Sequence, residues 1–523
     1  MRWVRALTLR GQILNRPMRR TSHTVHPRVA YPKGMKCRVA AVLLTIIGAS
    51  GPGCLKSESS QRRYDQATLA FRHGNLKEAQ RLATLRPATD GVWRARFRVL
   101  TAEVLLAQGR ADQALALLNG PASDDRLNAR RLMLEGDGFL RMDRYGEASR
   151  VLDEAARQAA NVRAVDLAIE IDMLKGRLLT ITNQVMEAGR VLESALTRAG
   201  RMHDPYLQSI ALNNLAVNEI REFRYDRAFS FATQALDSAE ESGAERLQAS
   251  ALGNLAYCHA FLGNFEKAQS YSERAIIMRQ REGDLLGLQS TLGALGNTYL
   301  LQGDPRKAIP YYRKALSAAR ELNAPSYAST WEANLSEALA EAEDWDAAEQ
   351  LTRATQQHGF QDEQERVSAV LTEAEISLGR EDFAQAARYL NEVVHSNPSN
   401  PGQLWEAHAS LASVYAKVGQ RQKAREHFEK AIRLMETARA DVFQAEHRAT
   451  FLSRWIRFYQ NYVDLLMDEG DSTKAFAVSE SSRARVLAEM IGVWLFWNDG
   501  PNNRVQAPLV LIDVELPVTI KVA

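Results

Sequence analysis

Residues 252–276, LGNLAYCHAFLGNFEKAQSYSERAI, decide the fold because the same arrangement recurs along the chain. A turn residue, here Gly263, is followed five positions later by an alanine, here Ala268. The recurrent alanines are Ala79, Ala114, Ala148, Ala188, Ala228, Ala268, Ala308, Ala348, Ala386 and Ala424. Five successive intervals of 40 residues separate Ala148 from Ala348. A fixed period of this length indicates an array of repeated supersecondary units.

A second position keeps the same phase. Twelve residues before each alanine lies a small residue: Ala67, Ala102, Gly136, Gly176, Ala216, Ala256, Gly296, Ser336, Ala374 and Ala412. Small residues on two consecutive helices let the helices approach closely, and the turn residue between them ends the first helix. Each unit is therefore predicted to be a helical hairpin. In one unit Asp304 can cap the second helix and Pro305 can begin it, whereas Pro310 predicts a kink there.

These units resemble tetratricopeptide repeats (TPR), which pair two helices with a small residue in the first and an alanine in the second. The 40-residue units resemble the longer variant found in kinesin light chains. The resemblance covers about ten units and implies an all-α, right-handed solenoid of helical hairpins over residues 61–437. It also implies a concave groove, lined by the first helices, that holds a peptide or protein partner.

Six residues are candidates for the groove because their phase places them on the groove side of the first helices. They are Asn213, Asn214, Asn254, Tyr257, Asn297 and Asn334. An asparagine amide both donates and accepts hydrogen bonds, so a row of them can hold an extended peptide backbone. The alternative is that these amides bond within their own helices or tie neighbouring repeats together.

Charge is distributed unevenly along the chain. The 523 residues include 66 Lys+Arg and 63 Asp+Glu, a formal net charge of +3. Residues 1–53 contain ten of the basic residues and no acidic residue, so the remainder carries a net charge of −7. An acidic body argues against a nucleic-acid partner. Three cysteines exclude a disulfide scaffold, and the apolar run at residues 39–47 is too short to span a bilayer.

Residues 35–53 predict an export signal, since a basic segment precedes the apolar run and small residues precede Cys54. A cysteine at that point resembles the bacterial lipoprotein signal, although Gly51 stands where that family usually has leucine. The resemblance implies lipidation of Cys54 and a membrane-anchored protein of the cell envelope, facing the periplasm or the exterior. Plain secretion and a retained anchor are the alternatives. Residues 54–60 would form a polar tether, and residues 1–34 an upstream extension before a true start at Met35.

Residues 438–491 differ from the repeats. An apolar stripe at helical spacing predicts packing against the last repeat; it comprises Phe451, Trp455, Phe458, Tyr459, Tyr462, Leu465 and Leu466. The run ESSRAR at residues 480–485 resembles the helical connector of bacterial TPR–CHAT proteins, which joins the repeats to a caspase-like peptidase domain. Residues 492–523 are too few for that domain, so we expect either that it is lost by truncation or frameshift or that the tail pairs with another chain. The tail is predicted to be disordered or, at residues 512–522, strand-like.

The sequence offers no catalytic centre. No cysteine follows Cys258 and no histidine follows His447, so the tail cannot supply a Cys–His peptidase. Adjacent Cys258 and His259 would point about 100° apart on a helix and are predicted to be structural. Phosphate-binding, dinucleotide and zinc motifs are missing from the sequence, which predicts no cofactor and no metal. We expect a non-catalytic, lipid-anchored scaffold; the alternative is the regulatory half of a TPR–CHAT protease whose catalytic domain is lost or encoded separately.

Overall fold

The computed structural model describes residues 52–85, 91–120, 122, 124–360, 363–398, 400–440 and 456–480, and within them all regular structure is helical. The helices are α1 Pro52–Arg72, α2 Leu76–Thr84, α3 Gly91–Ala107, α4 Ala111–Leu118, α5 Asp125–Arg141, α6 Tyr145–Asn161, α7 Val165–Ile181, α8 Val185–Arg201, α9 Pro205–Arg221, α10 Tyr225–Glu241, α11 Glu245–Phe261, α12 Phe265–Glu282, α13 Leu285–Leu301, α14 Pro305–Glu321, α15 Pro325–Glu341, α16 Trp345–His358, α17 Glu363–Gly379, α18 Phe383–Ser396, α19 Pro401–Lys417, α20 Arg421–Ala440 and α21 Ile456–Asp468.

Helices α1 to α20 form ten consecutive hairpins, the first to tenth repeats, in which each odd-numbered helix is the first helix and each even-numbered helix the second. The helices of one hairpin pack on each other, and from α3 onward each first helix also contacts the first helix of the next repeat. The first helices therefore form one continuous layer. This arrangement confirms the predicted all-α solenoid of helical hairpins.

The two small positions are buried where the helices of each hairpin meet. All ten recurrent alanines are fully buried. Where the small residue of the first helix is a glycine, a large side chain of the second helix fills the space of the missing Cβ. A Cβ on Gly176 would lie 2.5 Å from Leu192 Cδ2, and one on Gly296 would lie 2.7 Å from Tyr312 Cε1. Close packing of this kind leaves no room for a larger residue.

The turns repeat as regularly as the helices. All ten predicted turn residues have a left-handed backbone: Gly74, Gly109, Asp143, Asn183, Phe223, Gly263, Gly303, Glu343, Glu381 and Gly419. The links between repeats use the same conformation, for example at Arg163 and Gly243, so that a left-handed residue recurs every 20 residues from Asp143 to Glu343. Non-glycine residues pay roughly 1–2 kcal/mol for this conformation. Its use at Phe223 shows that the hairpin packing outweighs that cost.

Helix α14 tests the predictions made for its prolines. Asp304 Oδ1 accepts a hydrogen bond from Lys307 N at 3.3 Å, and Pro305 is the first helical residue, which confirms the predicted cap. Pro310 lies inside the helix, which nevertheless runs without interruption to Glu321. Packing of α14 against both neighbouring first helices, α13 and α15, holds it together at the position where the sequence predicts a kink.

The two ends of the described chain differ from the expectations in part. Residues 54–60, for which the sequence predicts a tether, lie in α1. Beyond the repeats, Tyr462 and Leu466 of α21 are buried against the tenth repeat, where the Tyr462 ring stacks on Phe428 at 4.9 Å. Phe451 and Trp455, residues 1–51 and residues 481–523 lie outside the described residues. No described helix is both long and apolar enough to cross a bilayer.

Candidate ligand cavity on the first helices

The first helices line a cavity of about 600 Å³. Every first helix from α1 to α15 contributes to its wall. The residue that directly follows the small position of the first helix faces the cavity in six successive repeats. In chain order, this position holds Glu103, Asp137, Arg177, Val217, Tyr257 and Asn297. Burying the small residue against the second helix therefore turns the next residue toward the cavity.

Beside the cavity, an arginine joins three repeats through Glu103 and Glu170, two carboxylates of the wall. Arg130 of α5 lies between two carboxylates, with Nη2 2.7 Å from Glu103 Oε1 of α3 and Nη1 3.6 Å from Glu170 Oε1 of α7. Burial raises the pKa of Glu170, although Arg130 opposes that effect. The second oxygen of Glu103 is buried without a hydrogen-bond partner. One guanidinium here serves two carboxylates.

At Asp137 the numbers are reversed, because two arginines bond to one carboxylate. Arg141, one turn later on α5, lies 2.9 Å from Asp137, and Arg177 of the next repeat lies 3.0 Å from it. Burial alone would raise the pKa of Asp137, but the two guanidinium groups outweigh it and lower that pKa. Asp137 is therefore ionised at neutral pH and ties α5 to α7.

Deeper in the wall, Arg279 reaches the cavity from the second helix α12. Its Nη1 lies 3.0 Å from Asp284 Oδ2. Asp284 also caps α13, because its Oδ1 accepts a hydrogen bond from Gly287 N at 2.8 Å. Arg246 of α11 lines the same part of the wall. Two guanidinium groups and one carboxylate thus face the cavity here.

The predicted asparagines form links between neighbouring repeats. Asn254 Nδ2 donates to Asn213 Oδ1 at 3.0 Å, and Asn334 Nδ2 donates to Asn297 Oδ1 at 3.3 Å. Asn213 also donates to the Ser209 carbonyl of its own helix at 3.0 Å. These bonds correspond to the structural alternative that the sequence left open. They also hold the amides in fixed positions along the wall.

Five of the six predicted residues line the cavity: Asn213, Asn214, Asn254, Tyr257 and Asn297. Asn334 is the exception, although it bonds to Asn297. Asn214 is half-buried, and its amide bonds to no residue in the described ranges. The Tyr257 ring lies tilted against the rings of Tyr225 and Phe261, and burial raises the pKa of Tyr257 to about 12. Their role in holding a partner stays a prediction.

Contacts between distant repeats enclose the cavity. Turns of the first three repeats touch the sixth to eighth repeats, through the pairs Gly74–Arg246, Gly109–Leu322 and Asp143–Ser326. A Cβ added at Gly74 would lie only 3.0 Å from the Arg246 backbone nitrogen. Glycine at that position is needed both for its left-handed backbone, with φ 88°, and for this close approach.

The same layer changes character in the eighth to tenth repeats. Glu337 and Glu375 occupy the position after the small residue, and Glu341 and Glu406 occupy other positions that face the cavity in earlier repeats. None of these four glutamates forms an ion pair with a described residue. Desolvation by the surrounding protein, then repulsion from neighbouring glutamates, raises the pKa of Glu337 to about 7 and that of Glu341 to about 8.

Sequence reasoning missed charged residues of the wall, among them Glu103, Asp137, Arg177 and Arg279. Charged residues on a helix usually lie in solvent, so they did not stand out as the asparagines did. The repeat phase could have found three of them, because Glu103, Asp137 and Arg177 follow a small residue as Tyr257 and Asn297 do. Arg279 lies on a second helix, and no such signal points to it.

Cys258 and His259, the adjacent pair noted in the sequence, both lie in the interior of the array. Cys258 is a fully buried free thiol, and burial raises its pKa. His259 is buried between the rings of Phe229 and Tyr271. No group of three or more histidine, cysteine or acidic residues in the described ranges could hold a metal ion. Cys258 and His259 are core residues, as the sequence predicts.

Comparison with protein families identifies the repeats. Residues 247–321 and 288–355 match one tetratricopeptide-repeat model, residues 405–438 match a second and residues 95–119 a third. A comparison with curated proteins gives no match. Tetratricopeptide repeats are thus detected in these segments, and the ten hairpins form a helical solenoid of that type.

Many solved structures resemble the chain. BtubC from P. vanneervenii is 25% identical over 42% of this chain and 94% of that chain, with a TM-score of 0.34. The apo quorum sensor NprR from B. thuringiensis is 14% identical over 72% of this chain and 99% of that one, with a TM-score of 0.46. NprR in complex with its cognate peptide NprX is 13% identical over 66% and 99%, with a TM-score of 0.47.

Proposed function

We propose that this chain is a non-catalytic interaction scaffold that holds a short peptide segment in the cavity of its first helices. The observation that carries the proposal is the cavity itself, with its regular lining from eight successive first helices. A volume of about 600 Å³ falls within the range of ligand pockets, roughly 300–1,000 Å³. This space suits a peptide segment and is far too small for a folded domain.

The chemistry of the wall also supports a peptide. Apolar side chains such as Met173, Ile210 and Trp331 alternate with fixed amides and ion pairs. A peptide presents the same mixture, because its backbone needs donors and acceptors while its side chains bury apolar surface. The amide of Asn214 is available for such a backbone, and its neighbours Asn213 and Asn254 are held in place by their mutual bond.

Blocking the cavity tests the proposal. Peptides enriched by wild-type protein from a random octapeptide library are measured by fluorescence anisotropy against Val217→Trp. Val217 lines the cavity and is 40% exposed, so a larger side chain there fills the space without entering the core. The matched control is Ile277→Trp, which alters an exposed residue of α12 outside the cavity.

We expect Val217→Trp to weaken binding at least about tenfold, equivalent to about 1.4 kcal/mol, and Ile277→Trp to leave it unchanged. Circular dichroism verifies that both variants keep their helices. If no peptide is enriched, or if folded Val217→Trp binds as tightly as wild type, the peptide proposal is wrong.

We further propose that the protein is exported and anchored to the cell envelope by a lipid on Cys54. The support is the order of the sequence before this residue: a basic segment, a short apolar run and small residues. Cys54→Ser should move the protein from the membrane fraction to the soluble fraction, whereas the control Cys37→Ser, upstream of the proposed cleavage point, should not. Membrane retention of Cys54→Ser would contradict the anchor.

A further inference from the structure

The contacts that enclose the cavity form a seam between distant repeats. At this seam the turns at Gly74, Gly109 and Asp143 touch the sixth to eighth repeats. Of the ten turn residues inside the hairpins, only Gly74 is buried. The sixth repeat covers it, because a Cβ on Gly74 would lie 3.0 Å from Arg246 N and 3.3 Å from Glu282 Oε1. The first and sixth repeats are therefore in direct contact.

The seam is also part of the cavity wall. The Arg246 guanidinium lies over the Phe71 ring of α1, 5.8 Å from its centroid, and both residues line the cavity. Leu286 also lines the cavity, and its Cβ would lie 3.4 Å from a Cβ on Gly109. Separation of the two sides of the seam would therefore widen the cavity.

One carboxylate in the seam has no partner. Glu282, the last residue of α12, is 5% exposed, and both of its oxygens are buried without a hydrogen bond to the described part of the chain. Asp143, elsewhere in the seam, accepts hydrogen bonds from Ser326 and from Tyr145 at 2.9 Å. An ionised carboxylate that is buried without hydrogen bonds is strongly unfavourable.

Charged groups from every adjoining element surround Glu282 without neutralising it. They are His73 and Lys77 at the α1–α2 turn, Glu245 and Arg246 of α11, Arg279 and Arg281 of α12, and Asp284 before α13. Arg279 bonds to Asp284 at 3.0 Å, and His73 and Lys77 are exposed. Burial, followed by repulsion from Asp284, raises the pKa of Glu282 to about 7.

We propose that Glu282 makes the seam a pH-sensitive latch, which is closed while this carboxyl is protonated and opens when it ionises. The folded pKa of Glu282, about 7, lies above its ordinary value of 4.5. Its contribution to closure is therefore complete below that ordinary value and is lost as pH rises through about 7. The latch governs access to the cavity and does not depend on what the cavity binds.

Hydrogen exchange of the protein without any ligand tests the latch. Exchange is measured at about pH 5.5 and about pH 8 and divided by the intrinsic rate at each pH. Residues 73–77 and 243–246 report the contact beside Glu282, and residues 108–111 report the separate contact at Gly109. We expect protection in all three segments to fall at least about threefold at the higher pH.

Glu282→Gln keeps the side chain uncharged at both pH values, so its three segments should stay protected. The control Glu266→Gln removes an exposed carboxylate at the opposite end of α12 and should keep the wild-type response. Circular dichroism verifies that both variants keep their helices. A wild-type response in folded Glu282→Gln would overturn the proposal. Loss of protection beside Glu282 alone, without residues 108–111, would show local titration and would also overturn it.

Gly74→Ala tests the closed state from the other side of the seam. The added methyl would meet the Arg246 backbone, so we expect low protection of residues 108–111 at both pH values. The control Gly303→Ala introduces the same left-handed strain at a turn with no atom within 4 Å of the new Cβ. This control should respond to pH as wild type does. Folded Gly74→Ala with wild-type protection would contradict a seam closed by this contact.

Discussion

Two regions of the first-helix layer place carboxylates in the same register but surround them differently. In the third repeat, Asp137 has Arg141 one turn later and Arg177 at the same position of the next repeat. In the eighth repeat, Glu337 has Glu341 one turn later and Glu375 at the same position of the next repeat. The solenoid fixes these positions equally in both regions.

The electrostatic result is opposite in the two regions. The two arginines lower the pKa of Asp137 against the effect of burial. Around Glu337, desolvation and the repulsion of Glu375 act together and raise its pKa to about 7. The comparison teaches that the repeat geometry creates close contacts between neighbouring repeats, while the residues chosen decide whether those contacts stabilise the array.

Introducing the like-charge pattern of the eighth repeat into the third repeat should lower the free energy of unfolding more than any other change considered. Arg141→Glu removes one partner of the buried Asp137 and places a like charge one turn away. Loss of a buried ion-pair partner costs about 3 kcal/mol or more, which urea denaturation followed by circular dichroism measures. The control is Arg126→Glu, whose exposed pair with Asp166 contributes less than about 1 kcal/mol. Equal losses in both variants would contradict the comparison.

The glutamates predict a stability that depends on pH. Their folded pKa values, about 7 for Glu337 and about 8 for Glu341, exceed the ordinary value of 4.5. Their favourable contribution is therefore complete below that value and is lost as pH rises through 7 and 8. After discounting for solvent screening, the eighth to tenth repeats should lose about 1–2 kcal/mol of local stability between about pH 6.5 and about pH 9.

Hydrogen exchange in α15, α17 and α19 measures this loss. The double variant Glu337→Gln/Glu341→Gln serves as the control and should flatten the pH response. His408 does not interfere in this window, because burial and His427 lower its pKa to about 4. A wild-type region that becomes more protected with rising pH would reverse the predicted sign.

The hydrogen bonds between asparagines of neighbouring repeats, which lie between the two regions, predict an intermediate effect on stability. Asn254→Ala breaks the bond to Asn213 and leaves that amide oxygen without its partner, at a cost of about 1 kcal/mol. Asn214→Ala, next to Asn213, removes an amide with no bond to a described residue and should change stability by less than about 0.5 kcal/mol. Thermal denaturation of the two variants measures the difference. Equal destabilisation would show that the observed bond is not the source of the cost.

Introducing the opposite-charge pattern of the third repeat into the eighth repeat should change the free energy of unfolding least. Glu341→Arg replaces a like-charge neighbour of Glu337 by a cation one turn away. Such pairs change helix stability by about 0.2–0.5 kcal/mol in each direction. The gain should be measurable at about pH 9 and vanish near about pH 5, where Glu337 is protonated. A gain of equal size at both pH values would indicate improved packing and not electrostatics.

The repeat phase predicted much of the fold because packing demands small residues at two fixed positions of every hairpin. It even placed the turns at Phe223, Glu343 and Glu381, whose side chains give no turn signal of their own. The enclosure of the cavity was not predictable in this way. Contacts such as Gly74 with Arg246 depend on curvature accumulated over several repeats, and no local pattern records it.

The cavity was predictable only where a residue type is unusual on a helix surface. Asparagine is such a type, so four lining asparagines were predicted from the sequence. Tyr257, the fifth predicted lining residue, was found by its repeat phase. Arginine and acidic residues are common on the solvent-exposed side of any helix. The sequence therefore could not distinguish Glu103 or Asp137 from an exposed surface residue. Arg279 reaches the wall through a gap at Gly287 that exists only after three helices have packed.

Hydrogen–deuterium exchange with and without a saturating library-selected peptide tests the central claim most directly. If the cavity holds the peptide, amide protection should increase in three first helices that line it. They are α9, which carries Asn214, α11, which carries Arg246 and Asn254, and α13, which lies beside α11. Protection in α17 and α19 should stay unchanged. A peptide that binds but protects only α17 and α19, or no first helix at all, would contradict the assignment of the cavity as the binding site.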